Sequence, residues 1–467
     1  MKRSIKYSAF MLSVILMLGG CAAAGTEKDQ TDGSAVQSSL MQSELSEQES
    51  TEASASSETK SKAEESVITE ESSETETEDT LTEEETSKND VGAGEISIKE
   101  ASPDNTQLTS GTYEVTIGNK TVTLSGAYVV DGIDAVIDGG EWNSSETDQN
   151  VFLVINGGSL ILKNAALTKT GDAGKNDSTR KSDVSDDYNF YGINSVILTV
   201  GEGSKATIEN CTIKSDCSGA NAIFSLDEAN VEVSNVSIST TGNSSRGVYA
   251  TYGGTITADH LDITTTGAHC APIATDRGGG YVTVKNSKLN SSGDGSPNVY
   301  STGEIVVENC TGISTGSQAA VIEGKNSITM INCNFTVSGS GNNGVMLYQS
   351  MSGDAADSDA TASVSTLTMT NTTITSDLDG PMFYITNTSS VINLNGGNTL
   401  TAKSGDLVSA GTGRWGKDGS NGGKLTLNLS GESYSDTITA DDISSVTVNL
   451  SDGAEFTGNT SGSVKVQ

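Results

Sequence analysis

The chain has 467 residues, with 61 acidic against 26 basic side chains, 52 glycines, 4 prolines, 4% aromatic and 34% hydrophobic residues. So little apolar material beside so much glycine excludes an ordinary set of packed globules and implies a repetitive or partly unfolded chain. A formal net charge of −35 disfavours nucleic acid and anionic lipid headgroups as partners and leaves neutral or cationic ones.

Lys2, Arg3 and Lys6 precede an apolar stretch from Ala9 to Leu18, too short to span a bilayer as a helix, which reads as the core of an export signal over residues 1–20. The end of that stretch, Leu18-Gly19-Gly20-Cys21, resembles the bacterial lipobox, and the resemblance implies lipidation of Cys21; the alternative is a secretory peptide cleaved near Ala24. Residues 21–92 are Ser, Thr and Glu with little else, including 20 acids between Glu27 and Asp90 and only Lys28, Lys60, Lys62 and Lys88 to oppose them. Such a segment has too little apolar surface to offset the entropy of ordering and is expected to be a disordered, self-repelling tether. The expected location is outside the cytoplasm, lipid-anchored to a bacterial cell membrane and exposed at the surface, with the lipid as the sole membrane contact.

Beyond Asp90 short runs alternate apolar and polar residues between Gly, Ser, Asn and Asp, the pattern of an all-β chain. An asparagine recurs at 164, 210, 235, 286, 309, 332 and 371, with His260 in the same slot; steps of 23 to 26 residues are broken by two long ones, of 46 and 39. A fixed period of about two dozen residues is the mark of a solenoid, and the long steps carry extra loops. Four before the anchor stand Leu160, Ala206, Val231, Ile256, Val282, Ile305, Ile328 and Leu367, and two before it Leu162, Ile208, Val233, Ala258, Val284, Val307, Met330 and Met369. Three after it stand Leu167, Ile213, Ile238, Ile263, Leu289, Phe335 and Ile374, with Ile313 expected one place late because Gly312 reads as an insertion. Two strands therefore meet at a left-handed bend that Asn tolerates, and a third, as in Val248-Tyr249-Ala250-Thr251, closes each coil.

These columns and the asparagine ladder resemble the right-handed parallel β-helix superfamily, the architecture of pectate lyases, polygalacturonases and many bacterial adhesins. The resemblance implies a right-handed parallel β-helix over residues 93–467, with capping coils at 93–148 and 411–467 and regular coils at 149–410. It implies no function. The Asn-Thr-Asp, Gly-His-Gly and Arg-Ile-Lys signatures of the hydrolases are absent, and no catalytic residue is assigned.

The remaining chemistry is sparse. Cys211, Cys310 and Cys333 each follow an anchor, Cys217 and Cys270 lie in loops, and burial as thiols or a Cys310–Cys333 disulfide on adjacent coils are the two readings. The loops Gly171–Tyr188 (Asp172, Asp177, Asp183, Asp186, Asp187) and Ser352–Ser363 are acidic; both read as solvated, with calcium at Asp354, Asp357 and Asp359 as the one cofactor considered. Phe224, Tyr249, Tyr300 and Tyr348 occupy outward positions of the closing strand, continued by Phe383 or Tyr384, a line of rings suited to stacking on sugars. Arg246 and the Asp276-Arg277 pair flank that line, either as a clamp for a ligand carboxylate or as solvated turn charges. The expected activity is non-catalytic binding of polysaccharide, or adhesion, by a monomer; the rival is a polysaccharide lyase or glycoside hydrolase acting on acidic glycans.

Overall fold

The computed structural model describes residues 95–98, 108–176, 184–350 and 361–467. The signal segment, Cys21, the tether, Asp177, Asp183, Asp354, Asp357 and Asp359 lie outside the described residues. Those described are nearly all strand, in a 22-stranded sheet (sheet 1), a 14-stranded sheet (sheet 2) and a two-stranded one. Each regular coil runs through one strand of sheet 2, turns, and runs through two strands of sheet 1 that meet at a bend. Val248–Thr251, the bent strand Gly254–Thr265 and then Ile273–Thr275 trace one coil into the next.

The apolar columns stack in register. Leu160 pairs with Ala206, Ala206 with Val231, Val231 with Ile256, and the column continues through Val282, Ile305 and Ile328 to Leu367. Every member is buried, and each rung adds a side chain worth about 1.5–3 kcal/mol of apolar burial. The anchors occupy the left-handed region, with φ between 49° and 55° from Asn164 to Asn371, His260 included. Their amides form a hydrogen-bonded ladder on the surface. Asn309 Nδ2 donates to Asn286 Oδ1 at 3.1 Å, Asn332 to Asn309 at 3.1 Å and Asn371 to Asn332 at 3.3 Å. His260 takes the bend but not the ladder, so Asn286 donates instead to Asp259 Oδ1 at 2.7 Å.

Gly312 is no insertion. It pairs with Leu289 on one side and Phe335 on the other, inside the inward column, while Ile313 points outward and is 51% exposed. A Cβ on Gly312 would sit 2.4 Å from the Phe335 ring; the missing side chain is the room that the larger neighbour fills.

The in-register stack also runs further than residues 149–410. Asp134–Asp138 and Glu141–Ser144 already pair in parallel with Ser159–Lys163 and Ala166–Lys169, and Lys424–Ser430 pairs with Ser445–Ser451, which pairs with Val464–Val466. At the start the direction reverses. Gly111–Ile117 lies antiparallel on Lys120–Asp131, and Glu95–Ile98 antiparallel on Asp134–Asp138, which covers the first parallel strand of sheet 2 and one of the two first strands of sheet 1.

The long step from Asn164 to Asn210 leaves the coil after Lys169 and carries a short helix, α1 (Asp186–Tyr191), before the chain re-enters sheet 2 at Ile197. Ser185 caps its start by accepting from Asp187 N, and Gly192 ends it at φ 64°. The expectation of a solvated acidic loop fails here, because Tyr188, Phe190 and Tyr191 are buried. Two of its acids serve docking: Asp172 Oδ1 accepts from Ser218 N at 2.8 Å and from its hydroxyl at 2.9 Å, and Asp187 pairs with Lys120.

Candidate functional site

Alternation in sheet 2 sends every second side chain away from the solenoid core, and one outward row reads Phe224, Tyr249, Ala274, Tyr300, Val321, Met346, Tyr384. Tyr348 is not in this row. It belongs to the neighbouring outward row, where it pairs with Glu323 and Thr386, and Phe383 points into the core. In Val345-Met346-Leu347-Tyr348 both Met346 and Tyr348 face outward, so the strand offers either as the continuation and only the register separates them.

The row is not an open platform. Phe224 and Tyr249 are fully buried and Tyr348 nearly so, because two excursions fold over them. Helix α1 covers the first part: Tyr188, Phe190 and Tyr191 pack with Leu198, Phe224, Tyr249 and Ala274 as a second apolar core outside the coil. Gly192 is required at this contact, since a Cβ there would meet the Phe224 ring at 2.5 Å. Trp415, in the loop after Asp406–Ala410, covers the later part, its ring centroid 4.6 Å from that of Tyr348 and packed with Val321 and Met346.

The two arginines seat the helix. The Arg246 guanidinium lies 4.6 Å over the Tyr249 ring and donates to Asn189 Oδ1 at 2.7 Å, while Arg277 lies 4.1 Å over the Phe190 ring. Tyr249 donates its hydroxyl to Asp276 Oδ2 at 2.7 Å, and Asp276 Oδ1 accepts from Arg277 N at 2.9 Å. Arg246 and Asp276 are buried, so these groups are neither solvated turn charges nor a clamp open to a ligand. They hold α1 to sheet 2. A parallel arrangement serves the second cover, where Glu323 accepts the hydroxyls of Tyr300 and, at 2.7 Å, Tyr348. Glu323, Trp415 and Asn189 were not anticipated; the signal for Glu323 was an acid ending the apolar strand Ala320-Val321-Ile322-Glu323, at an outward position that must be buried or bound.

Burial sets the acidity of the phenols. Desolvation raises Tyr300 well above its usual value, with the Glu323 charge next; desolvation also raises Tyr252, helped by its bond to Tyr191, and Tyr188 and Tyr434, each beside a carboxylate. A phenol whose folded pKa exceeds the free value of 10.0 binds its proton more tightly when folded. Its contribution to stability is therefore whole below about pH 10 and is lost as pH rises through the folded value. In an alkaline titration these phenols are expected to ionise only as the fold is lost, phenolate absorbance and circular dichroism changing together. Ionisation of all 12 tyrosines near pH 10 with the β signal intact would contradict their burial.

The five described cysteines are free thiols, not a disulfide. Cys211, Cys217, Cys270, Cys310 and Cys333 are buried, and Cys310 and Cys333, one rung apart, hold carbonyls of the preceding rung at 3.5 Å. A hydrogen bond with Cys333, followed by burial, pushes the Cys310 thiol up. Among the described residues no group of three or more His, Cys, Asp or Glu gathers as a metal would need, and no helix is long and apolar enough to cross a membrane.

A cavity of about 290 Å³ opens where sheet 2 turns into sheet 1, spanning four successive coils. It is lined by Lys325, Gln349, Ser363, Val364, Asn387, Thr388, Ser389, Ser420, Gly422 and Lys424. Among the described residues, two ammonium groups, two amides and several hydroxyls line it, and no carboxylate does. Its floor is fastened by the left-handed Asn387, at φ 51°, whose Nδ2 donates to Gln349 O at 2.7 Å and whose N donates to Asn421 O at 2.9 Å. Periodicity could not reveal this site, because the turn residues follow no repeat.

Comparison with known proteins bears on the fold alone. Residues 178–355 match the family model described as right handed beta helix region, and no curated protein and no solved structure matches the chain. Stacked parallel strands, inward columns and that family match together make the chain a right-handed parallel β-helix.

Proposed function

We propose that this β-helix is displayed at a bacterial surface, held to the membrane through lipid on Cys21 and spaced from it by residues 21–92, and that it binds polysaccharide without cleaving it. The observation that carries this reading is the cavity at the turn between the sheets. A pocket of hydroxyls, amides and ammonium groups matches the hydroxyl-rich edge of a sugar chain, and its construction across four coils suits an extended ligand better than a compact one. Burial of Phe224, Tyr249 and Tyr348 leaves little of the row for stacking and shifts the binding reading to these turns.

One observation favours the rival, a lyase or hydrolase. Asp276 and Glu323 end sheet 2 strands two rungs apart, with Arg246 and Arg277 near the first, and paired carboxylates with a base are what such chemistry uses. Against it, both carboxylates are buried and accept tyrosine hydroxyls, which makes them partners of the covers.

Retention of the full-length chain on an array of plant, host and bacterial polysaccharides, with calcium and with chelator, tests the reading. Binding to at least one glycan is expected, weakened by Lys424→Gln and not by Lys214→Gln on sheet 1. No retention on any glycan would overturn it.

A further inference from the structure

We infer that the buried amine of Lys169 and the side-chain amide of Asn194 join in an isopeptide bond, with loss of ammonia, which closes the base of the excursion that carries α1. The starting point is an exception in a column. Ser144, Ser215, Thr240, Thr265 and Ser291 hold one inward position on successive rungs, each a buried hydroxyl, and Lys169 takes that position between Ser144 and Ser215. Its side chain is fully buried, where an ammonium is costly unless a carboxylate pairs with it. Nζ donates instead to two backbone carbonyls, Glu146 O at 2.8 Å and Gly171 O at 2.6 Å, and to no carboxylate among the described residues.

Asn194 stands against the same oxygen. Its Nδ2 donates to Gly171 O at 2.8 Å and to Ser218 O at 3.2 Å, while its fully buried Oδ1 has no hydrogen-bond partner. Amine and amide therefore converge on one carbonyl, in a space that glycine keeps open: a Cβ on Gly171 would stand 2.6 Å from Nζ and 2.1 Å from Glu146 O. Burial lowers the hold of Lys169 on its proton, against the charges of Cys217, Asp148, Asp172 and Glu146, and the free amine is the form that attacks. In the step, Nζ bonds to Asn194 Cγ, the Cγ–Nδ2 bond breaks, and the proton given up by Nζ leaves on the ammonia. Asp172 is placed to carry that proton, since its charge acts on Lys169 and its Oδ1 holds Ser218, whose carbonyl accepts from Asn194. The product is a neutral amide, so no charge remains buried. A cut anywhere between residues 169 and 194 would then leave the coils on either side covalently joined.

Tryptic mapping of the folded full-length chain by mass spectrometry tests the bond. Trypsin cuts after Lys163, Lys175, Lys181 and Lys205, so the expected product is a branched peptide joining residues 164–175 to residues 182–205. It should be uncut after Lys169 and lighter than its two parts by one ammonia. Asn194→Asp should yield a branched peptide of identical mass, because the aspartate loses water where the asparagine loses ammonia. Lys169→Arg and Asn194→Ala should yield only separate peptides, with circular dichroism confirming the β signal of each variant. Cleavage after Lys169 in the parent chain, with residues 182–205 recovered as a linear peptide of unaltered mass, would overturn the inference. A branched peptide that persists in Asn194→Ala would overturn it equally, by placing the link on another residue.

Discussion

Phe335→Ala is expected to lower the free energy of unfolding by about 3–5 kcal/mol, the usual loss when a buried aromatic ring leaves a cavity that its neighbours cannot close. The ring is fully buried in the inward column and lies against Gly312 of the preceding rung. With glycine there, no side chain is available to collapse into the space. The reciprocal change, Gly312→Leu, should also destabilise, because its first carbon would stand 2.4 Å from the ring and overpacking typically costs about 1–3 kcal/mol. Combining Gly312→Leu with Phe335→Leu restores a column of leucine-sized residues such as Leu289, and should cost less than the sum of the two single changes. Urea unfolding followed by circular dichroism measures these three together with the single change Phe335→Leu. A loss below about 1 kcal/mol for Phe335→Ala, within the range of surface substitutions, or strict additivity in the pair, would contradict the packing described.

Arg246→Ala is expected to cost a similar amount, about 3–5 kcal/mol, because it removes one charge of a buried set that includes Asp276. It also frees Asn189 and the face of Tyr249, so the loss should appear first as detachment of α1. Limited proteolysis would then cut between residues 170 and 196 before the coils unfold. Replacing both charges, as Arg246→Met with Asp276→Leu, should recover part of the stability, since neither charge is then stranded. If Arg246→Ala unfolds no earlier than the parent chain and gains no cleavage in that segment, the arginine does not hold the helix.

Much of the coil was legible because it repeats. Each inward column is sampled at eight or so rungs, so a single ambiguous residue is outvoted, and the left-handed anchors announce themselves as Asn wherever the backbone needs that bend. The misreadings fall where a rung departs from its neighbours. Ile313 was assigned inward on its hydrophobicity, and only the Phe335 ring on the next rung explains why a glycine holds that place. Tyr348 was placed one row off because its strand has two large outward residues. The buried covers were illegible for a different reason: whether an outward Tyr249 meets water or α1 depends on an excursion about sixty residues upstream, and no periodicity links the two. Arg246 and Asp276 read either as a clamp or as turn charges, and the partner that explains their burial, Asn189 with its helix, lies in the segment that looked most like a solvated loop. Of the candidate site, the lysine cavity left no trace in the repeat, since its residues come from four turns of unequal length.

The central claim is that this β-helix holds glycan without cutting it. Its most direct test is prolonged incubation of the full-length chain with each polysaccharide it retains, with calcium and with chelator, followed by measurement of new reducing and unsaturated ends. The expected result is retention with no ends above a protein-free blank. A steady rise in new ends that Glu323→Gln or Asp276→Asn abolishes, while retention persists, would contradict the claim and assign catalysis to the carboxylates of sheet 2.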